Sequence, residues 1–470
     1  MLAKRPTRRA LLVELQERPG EAAIGADADA QSASLYAQRL LSELGFGFRP
    51  LGAADHPAIS WVRSGMAAVT GRQRGRPLMA PVGLSAIADG ALLALASLAP
   101  KSSIKDLRGA GLLGERSRLA GLSRQGAISA GGGCRLLPTA DGVLAVSLVR
   151  STDWDFAPAW LEADIGGWDD VGRVLADRTL AQVLEQGRCL GLAVADADPT
   201  PGGPAVWRRT VARSPARSSG GRGAPLVVDL SALWAGPLCT DLLGRLGARV
   251  IKVESRSRLD GARAGPADFH ARLNGGKSSV MLDFNDAQDR AALQSLIEAA
   301  DIVVESSRPR GLRQLGIHAE DIIARRPGLT WIAISGHGRS DPEADWIGYG
   351  DDAAVAAGLS RCMKDVYGDW LFCGDAVADP LTGLHAALLA WTSWQKGGGV
   401  LEEISLSGVV AFAMAADGDL TAVERRARTW RWRDLARGAE GQRYDLPAPR
   451  GLVQEPGASN QAVLGGQSSC

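Results

Sequence analysis

Residues 225–254 have the sequence PLVVDLSALWAGPLCTDLLGRLGARVIKVE, and their pattern predicts the fold. It begins with PLVVDL, a short apolar run of the kind that forms a buried strand. The next segment, AGPLCTDLLGRLGA, has its apolar residues at helical spacing and closes at Gly247, and RVIKVE then repeats the strand pattern. A strand, a helix and a second strand in this order predict the repeating unit of a parallel sheet.

The same alternation continues downstream of this unit. Further strands are predicted at SSVMLDF, DIVVES and LTWIAIS, and helical patterns at DAQDRAALQSLIEAA and HAEDIIARRP separate the last of them. Alternation of this kind predicts an α/β fold with a Rossmann-like, doubly wound parallel sheet. Ligands of such sheets bind at the carboxyl ends of the strands, so we expect the functional site there.

Composition narrows the class of protein. The chain has 470 residues, and its 53 Lys and Arg balance its 52 Asp and Glu at a formal net charge of +1. This balance argues against a dedicated nucleic-acid binder, which carries a basic excess. The six cysteines show no CxxC spacing and the five histidines do not cluster with them, so we expect no metal site and a reducing compartment, the cytoplasm. No run of about 18 apolar residues predicts a membrane span, and the N-terminal segment, interrupted by Glu14 and Glu17, does not resemble a signal peptide.

Two segments with little apolar periodicity divide the chain. Residues 201–224 are dense in Pro, Gly, Ser and Arg and predict a linker between two halves of similar length. Residues 435–470 predict a tail that forms an arm or is partly disordered. The complete Rossmann-like core is therefore expected at 225–434.

The first half contains fragments of the second half's pattern. LYAQRLLSELGFGFRPL at 35–51 resembles PLCTDLLGRLGARVIKV at 237–253, with Leu44 opposite Leu246. Further along, three glycines of the first half pair in order with three of the second: Gly65 with Gly358, Gly75 with Gly368, and Gly90 with Gly383. We predict that residues 1–128 are a degenerate, partly deleted copy of the core. A chance match between two segments rich in Ala, Leu and Gly is the alternative.

Seven short motifs follow one another along the second half. They are VVDLSALWAGPLCTDLLGRLGARVIKVE (227–254), DGAR (260–263), LNGGKSSVMLDF (273–284), ADIVVESSRPRGLRQLGI (300–317), ISGHG (334–338), YGDDAAVAAGL (349–359) and DPLTGLHAALLAWTSWQKGGG (379–399). Each is weakly specific alone. Together, in this order, they resemble family III CoA-transferases, a group that includes formyl-CoA and carnitine CoA-transferases and the related α-methylacyl-CoA racemases.

The resemblance implies substrates and an assembly. The substrates would be an acyl-CoA, which brings coenzyme A, and a small carboxylic acid, with no metal. The family forms interlocked ring-shaped dimers, so the resemblance implies a homodimer or interlocked assembly. In family members the glycine loop and the small domain follow the Rossmann-like half. In this chain they come before the complete Rossmann-like core, and this departure leaves the quaternary arrangement open.

The family's nucleophile is an aspartate in a D-x-x-x-G context at the start of a helix, and here that pattern falls on Asp379 in DPLTG. By this resemblance, Asp379 would carry first an acyl anhydride and then a CoA thioester. A carboxylate suits this role because it can attack a thioester and later leave. Pro380 favours the first helical turn, where backbone N–H groups and the helix dipole stabilise an ionised carboxylate. The alternative is a plain N-cap aspartate, and nearby Asp375 lacks the TG spacing.

The first copy offers an internal comparison with this motif. Opposite Asp379 it has Ala86, which cannot act as a nucleophile, and Asp89 aligns with Thr382 instead. We therefore predict one active centre per chain.

A glycine-rich segment, SAGGGCRLLPTADGVLAVSL at 129–148, has no counterpart in the second half. It resembles the family's glycine loop, which covers the active-site carboxylate, so the resemblance implies a lid formed by Gly131, Gly132 and Gly133. A flexible hairpin connection is the alternative. With the helical and strand patterns that follow, the loop predicts a small α/β domain at 129–200.

Nine positions correspond to those that hold coenzyme A in the family. They are Trp234, Ala235, Lys252, Arg256, Arg263, Lys277, Ser306, Arg308 and Arg313. The basic residues among them suit the phosphates as charge-assisted donors. Two departures weaken or alter these contacts: Ser255 stands where an Arg usually follows KVE, and Ser306-Ser307 replaces an Asn-Phe pair. For any single arginine, a solvated surface role is the alternative.

Three functions follow from these observations. The leading hypothesis is a CoA-transferase that moves CoA from an acyl-CoA thioester to a carboxylic acid. The second is a racemase or epimerase of the same superfamily, which needs acid–base groups flanking an α-carbon. At the position of the racemase histidine this chain has Tyr349, a poor base at neutral pH, and His337 is expected to be a turn residue. The third is a non-catalytic homologue that binds acyl-CoA, favoured by the halved first copy and opposed by the complete Asp379 motif.

Overall fold

The structure, a computed structural model, describes residues 19–49, 54–200, 205–218 and 223–465. The N-terminal segment considered as a signal peptide, up to residue 18, and Cys470 lie outside the described residues. The first part of the chain is helical, with α1 (Pro19–Glu43), α2 (Pro57–Arg63), α3 (Leu84–Leu98), α4 (Gly109–Leu113) and α5 (Glu115–Leu119). The sequence of α3 is mostly Ala and Leu, and this helix is buried along nearly all of its length.

A small antiparallel sheet follows these helices. Its strands, in the order β1-β2-β3, are β1 (Cys134–Pro138), β2 (Val143–Ser147) and β3 (Ala193–Asp196). The connection from β2 to β3 contains α6 (Ser151–Leu161), α7 (Trp168–Leu175) and α8 (Leu180–Cys189). These helices pack on the sheet around Trp160 and Val194, in a cluster separate from the main core. This small α/β unit falls within the segment where the sequence predicts one.

A seven-stranded sheet occupies the second half, in the order β4-β10-β9-β8-β5-β6-β7. Its strands are β4 (Arg209–Arg213), β5 (Leu226–Leu230), β6 (Arg249–Ser255), β7 (Ser278–Leu282), β8 (Ile302–Glu305), β9 (Thr330–Ser335) and β10 (Val400–Ser405). All neighbouring strands are parallel except β4 and β10. The predicted Rossmann-like parallel sheet is confirmed.

Helices cover both faces of the large sheet. The helices of the second half are, in chain order, α9 (Ala235–Arg245), α10 (Ala267–Asn274), α11 (Ala287–Ala299), α12 (Pro309–Gln314), α13 (Ala319–Arg325), α14 (Gly350–Ala356), α15 (Leu359–Tyr367), α16 (Ala378–Gln395), α17 (Leu406–Ala416), α18 (Ala422–Ala436) and α19 (Asn460–Leu464). Leu293 and Ile322, from α11 and α13, pack on one face. Leu242 and Leu388, from α9 and α16, pack on the other, so the sheet is doubly wound. Among the described helices, none has both the length and the apolar content that crossing a membrane requires.

The N-terminal helices share the main core with the second half. Leu40 of α1 and Leu95 of α3 belong to the same buried cluster as Leu384 of α16. The Tyr36 hydroxyl also hydrogen-bonds to His385 Nε2 at 2.7 Å, inside this core. The helices of the first half are therefore part of the packing that supports the large sheet.

One close helix crossing occurs twice in the molecule. Where α1 crosses α3, a Cβ on Gly90 would lie 2.5 Å from the carbonyl oxygen of Ala33. Where α9 crosses α16, a Cβ on Gly383 would lie 2.7 Å from the carbonyl oxygen of Ala235. The sequence alignment pairs these glycines with each other, and its first offset, extended two residues upstream, pairs these alanines. A partial duplication would produce such a repeated crossing, and the duplication stays a prediction.

Part of the predicted linker is a strand. Arg209–Arg213 forms β4, which pairs antiparallel with β10 at the edge of the large sheet. The polar composition of β4 is that of a linker. However, the Thr210 hydroxyl donates to Glu402 Oε1 at 3.0 Å, and the backbone of β4 forms the edge of the large sheet. The linker prediction for 201–224 is wrong for these residues, while 201–204 and 219–222 lie outside the described residues.

The end of the described tail, residues 454–464, is an arm along β7. The Met281 N–H donates to Asn460 Oδ1 at 2.9 Å, and Asn460 Nδ2 donates back to the Met281 carbonyl at 2.8 Å. The Ser459 N–H donates to the Ser279 carbonyl at 2.9 Å. The arm thereby satisfies backbone groups at this edge of the sheet.

Candidate active site

Asp379 lies where two helices begin. Its helix, α16, starts at Ala378, so Asp379 and Pro380 occupy the first turn, as the sequence predicts. The carboxylate accepts a hydrogen bond from the backbone of Ala235, the first residue of α9. Because α9 follows β5, this carboxylate lies at the carboxyl end of the large sheet, where ligands of such folds bind. Two helix N-termini therefore stabilise negative charge at one partly buried side chain.

Gly350 and Ala376 fix the position of the Asp379 carboxylate. A Cβ on Gly350 would lie less than 3.0 Å from Asp379 Oδ2 and from the Ala376 carbonyl oxygen, so only glycine fits there. Ala376 has a φ of +44°, which is uncommon for a residue with a side chain. Its carbonyl accepts the Asp379 N–H at 3.0 Å. Crowding and a rare backbone conformation at one place are typical of functional sites.

Arg116 of α5 brings a positive charge from the first half into this site. Its Nε donates to Asp375 Oδ2 at 2.9 Å, and its Nη2 donates to Asp375 Oδ1. The Asp375 side chain is 0% exposed, whereas that of Arg116 is 30% exposed. The guanidinium carbon lies 5.3 Å from the ring centre of Trp234. Asp375 thus anchors Arg116 and is not free to act on a substrate.

Three carboxyl groups, from Asp351, Asp375 and Asp379, surround this guanidinium. Burial raises the pKa of Asp379 to about 7, although Arg116 opposes this shift and Asp351 adds to it. Burial and the Asp375 charge raise the pKa of Asp351 to about 6, and Asp351 Oδ1 accepts the Ala376 N–H at 2.8 Å. Asp379 therefore combines ionisation near neutral pH with greater basicity than a surface carboxylate.

Asp352 ties the site to the small α/β unit. The Ser147 hydroxyl at the end of β2 donates to Asp352 Oδ1 at 2.8 Å. The Tyr349 N–H donates to the same carboxyl at 3.1 Å, which fixes the start of α14. Burial raises the pKa of Asp352 to about 7. These hydrogen bonds therefore fix the position of the small α/β unit relative to α14, the helix that carries Asp351.

The glycine loop lies beside Arg116. A Cβ on Gly131 would lie 3.7 Å from Arg116 Nη2, which is an ordinary contact distance. Gly132 has a φ of +79° and open space around it, while a Cβ on Gly133 would lie 2.7 Å from Val149 Cγ1. Glycine is thus required at 132 by backbone conformation and at 133 by a neighbouring side chain.

The first copy has no equivalent of this centre in the described residues. Ala86 is buried in the first turn of α3, and the N–H of the preceding Gly83 donates to Asp417 Oδ1 at 2.9 Å. Arg425 and Arg428 pair with the same aspartate. The corresponding helix start is therefore closed by the protein's own carboxylate.

Asp89, the other carboxyl of the first copy, lies further along α3. It accepts hydrogen bonds from the Ser60 hydroxyl at 3.1 Å and from the Ala110 N–H at 2.9 Å. Burial raises its pKa to about 6. These contacts give it a structural role between α2, α3 and α4.

Lys252 and Lys277, two of the nine positions expected to hold coenzyme A, are buried. Lys252 Nζ donates to the Ser231 carbonyl at 2.9 Å and pairs with Asp260 at 2.9 Å. Lys277 Nζ pairs with Asp229 at 2.9 Å and makes three further hydrogen bonds. The structure does not bring these amines to the surface; they stabilise the turn between β5 and α9.

Four other positions of the nine have distinct surroundings. Arg263 makes a two-bond pair with Glu254, and Arg313 pairs with Glu320 at 3.1 Å. Ser306 Oγ accepts the N–H of Ala232 at 3.1 Å, in the turn that leads to Trp234 and Ala235. Arg256 is exposed.

Arg308, the last of the nine positions, lies near other cations. Burial, Arg310 and Arg150 lower its pKa, so several positive charges meet at this edge of the sheet. A cluster of arginines favours binding of phosphate.

The two candidate bases of a racemase are unsuited to that role. Burial raises the pKa of Tyr349 to about 12, which makes it a still poorer base at neutral pH. Burial lowers the pKa of His337 to about 4, and its ring packs edge-on against Trp346 with centres 5.8 Å apart. His337 follows β9 and hydrogen-bonds to the backbone of Ile347, so it is a turn residue.

Comparisons with known proteins show what the second half of the chain is similar to. Residues 225–422 match the model of CoA-transferase family III. A succinate–glutarate CoA-transferase from Agrobacterium fabrum is 31% identical over 34% of this chain and 43% of that one. A succinyl-CoA:glutarate CoA-transferase from Homo sapiens is 29% identical over 43% of this chain and 49% of that one. A CAIB/BAIF family protein of known structure from Brucella suis is 26% identical, covers 48% of this chain and 60% of that one, and has a TM-score of 0.37.

Residues 225–422 are therefore similar to CoA-transferase family III. The chain spans about half the length of the curated relatives it matches.

Proposed function

We propose that this protein is a CoA-transferase that moves coenzyme A from an acyl-CoA thioester to a small carboxylic acid, with Asp379 as the nucleophile. The observation that carries the proposal is the Asp379 carboxylate itself, between the backbone of Ala235 and the Arg116 guanidinium, inside the segment that matches the family. Its raised pKa of about 7 gives a carboxylate that is more basic than a surface carboxylate and is partly ionised at neutral pH.

The proposed reaction consists of four exchanges at carbonyl carbons. The Asp379 carboxylate attacks the acyl-CoA carbonyl, the C–S bond breaks, and CoA thiolate leaves beside an acyl–aspartyl anhydride. The thiolate attacks the Asp379 carbonyl, releases the donor acid as its carboxylate and forms an aspartyl-CoA thioester. The acceptor carboxylate attacks that thioester and expels the thiolate, which then takes the acceptor acyl group and frees Asp379.

Backbone groups stabilise the charge that develops in these steps. The Ala235 N–H that binds the ionised carboxylate is placed to donate to the oxygen of the acylated aspartate. The N-termini of α9 and α16 favour negative charge at the same place. We assign the glycine loop the role of excluding water while the anhydride exists.

Three residues near the carboxyl edge of the sheet are assigned to coenzyme A. Arg308 and the exposed Arg256 are proposed to hold its phosphates. Trp234 Nε1 is buried and has no hydrogen-bond partner among the described residues, so we assign this donor to coenzyme A. The carboxyl-paired Arg263 and Arg313 are weaker candidates, and Lys252 and Lys277 keep structural roles.

The relatives indicate the class of acid. Their names give succinate, glutarate and oxalate as substrates, all small dicarboxylates. We propose a small dicarboxylate as one partner for this chain. We also propose a cytoplasmic location, because the five cysteines among the described residues are all free. A homodimer or interlocked assembly is proposed from the family resemblance, and sedimentation analysis tests it.

Turnover of defined substrates tests the proposal. Purified protein is mixed with succinyl-CoA or acetyl-CoA and with oxalate, succinate or glutarate, and the acyl-CoA products are separated and quantified. Formation of a new acyl-CoA that requires Asp379 supports the proposal. Hydrolysis only, epimerisation only or no reaction with any pair contradicts it.

A further inference from the structure

One edge of the Arg116 guanidinium is hydrogen-bonded to Asp375, and the other edge can bind a ligand. Nε and Nη2 both donate to Asp375, which fixes the plane of the group. Within the described part of the chain, Nη1 makes no hydrogen bond, and it is not among the buried polar atoms without a partner. The 30% exposure of the side chain therefore belongs to an edge that a ligand can reach.

The surroundings of this edge include an aromatic ring, the glycine loop and the charge of the nucleophile. The guanidinium carbon lies 5.3 Å from the ring centre of Trp234, and Gly131 of the glycine loop lies near Nη2. Asp379, with the N–H of Ala235, is within electrostatic range. A group bound at Nη1 would therefore interact with the same cation that acts on Asp379.

The charge of the site changes during the reaction in a way that favours a carboxylate there. In the resting site the carboxyls of Asp351, Asp375 and Asp379 all act on the Arg116 guanidinium. Acylation of Asp379, as anhydride or thioester, removes one of these negative charges. The acceptor brings its carboxylate at this stage, and among the described residues Arg116 is a cation whose charge acts on the nucleophile.

We propose that Arg116, oriented by Asp375, binds the carboxylate of the acceptor acid through Nη1 and presents it to the acylated Asp379. The proposal rests on the proposed function and adds a substrate-binding residue to it. It also gives a reason to expect that the first half is needed for catalysis, since this cation comes from α5. Arg118 on the same helix donates instead to the Tyr444 carbonyl at 2.8 Å and has no such role.

A comparison of charged and neutral acceptors tests this assignment. Release of CoA from succinyl-CoA is followed with oxalate or glutarate, and separately with hydroxylamine, a neutral nucleophile that needs no cation. Arg116→Lys keeps the charge but loses the planar donor pair, and we expect the KM for the carboxylate to rise about 10-fold. Because Arg116→Gln leaves Asp375 buried and unpaired, the double variant Arg116→Gln with Asp375→Asn serves as the neutral version.

In the double variant the KM for the carboxylate should rise about 100-fold, which is the range for a hydrogen bond to a charged group. The hydroxylamine reaction should fall much less, so the ratio of the two rates should change by at least about 10-fold. Arg118→Lys serves as the matched control and should change neither.

Two results would overturn the assignment. One is an unchanged carboxylate KM in both Arg116 variants while the wild type turns over. The other is an equal fall of the carboxylate and hydroxylamine reactions, which indicates a structural role. A wild-type protein that transfers CoA to no acid overturns the proposed function, and this proposal with it.

Discussion

Gly350→Ala is the substitution that tests the geometry of the nucleophile most sharply without removing a functional group. The added methyl would lie less than 3.0 Å from Asp379 Oδ2 and from the Ala376 carbonyl oxygen. The Ala376 backbone is already in an uncommon conformation, with a φ of +44°, so it has little freedom to yield. The carboxylate of Asp379 is therefore the group that must move.

The expected magnitudes follow from the size of this movement. Restoring an ordinary carbon–oxygen contact needs a displacement of roughly 1 Å, and a misplacement of that size costs about 100-fold in rate. Overpacking of this kind destabilises a protein by about 1–3 kcal/mol. The loss of rate should thus exceed what partial unfolding of the sample explains, because the folded fraction stays high at such a loss of stability.

Single-turnover release of CoA and thermal unfolding, measured on the same preparation, check this prediction. Gly438→Ala is the matched control, since a Cβ at Gly438 meets nothing within 4 Å. We expect the control to retain wild-type rate and stability. A rate for Gly350→Ala within about twofold of the wild type would refute the argument that crowding fixes Asp379.

Four further outcomes are expected. Asp379→Ala should lower CoA transfer by more than about 1000-fold, and Asp379→Asn nearly as much, because an amide does not attack a thioester; a steady-state assay that finds more than about a tenth of wild-type activity in Asp379→Ala contradicts the assignment. The single-turnover rate of acylation should rise with pH to half its maximum near pH 7, because the raised pKa of Asp379 is about 7 and only the ionised form attacks; a rate that is flat between about pH 5 and pH 9 speaks against this. Residues 225–470 alone should be inactive, because Arg116 and the glycine loop belong to the first half, and co-expression with 1–215 should restore turnover; full activity of the fragment alone would disprove the shared site. Gly132→Ala should raise hydrolysis relative to transfer, because its φ of +79° disfavours a side chain and a displaced loop admits water; an unchanged ratio of CoA release with and without acceptor removes the lid role.

Local patterns were enough to predict the large sheet and the position of Asp379. The apolar runs around Val227 and Val250 contain strand residues buried on both faces, and the helix between them closes at Gly247 with a φ of +100°. The helix start at Asp379 is marked by the proline that follows it. Each of these features is determined by residues that are close together in the sequence, so a local pattern can predict it.

The buried lysines show where local patterns fail. Lys252 and Lys277 follow or precede strands and have the composition of phosphate ligands. Their charges are instead neutralised by Asp260 and Asp229, and Asp229 stands within an apolar strand where the sequence gives no sign of an ion pair. Which charges pair inside a core depends on the tertiary fold.

Arg116 could not be recognised in the sequence for the same reason. It lies in GERSRLAG on a short helix of the first half, outside every motif of the second half. Only the packing of α3 and α4 against α16 brings it to Asp375. Gly350, by contrast, stands within the motif YGDDAAVAAGL, so a requirement for glycine beside the nucleophile had a visible signal there.

Trapping of the covalent intermediate would show whether Asp379 is the nucleophile. The full-length protein is mixed with succinyl-CoA and hydroxylamine, digested, and searched by mass spectrometry for a peptide that carries a hydroxamate. If Asp379 is the nucleophile, we expect a hydroxamate on this residue alone. We expect none in the Asp379→Asn variant treated in the same way. Robust CoA transfer with no modified carboxyl, or a hydroxamate on Asp351 or Asp375 instead, would contradict it.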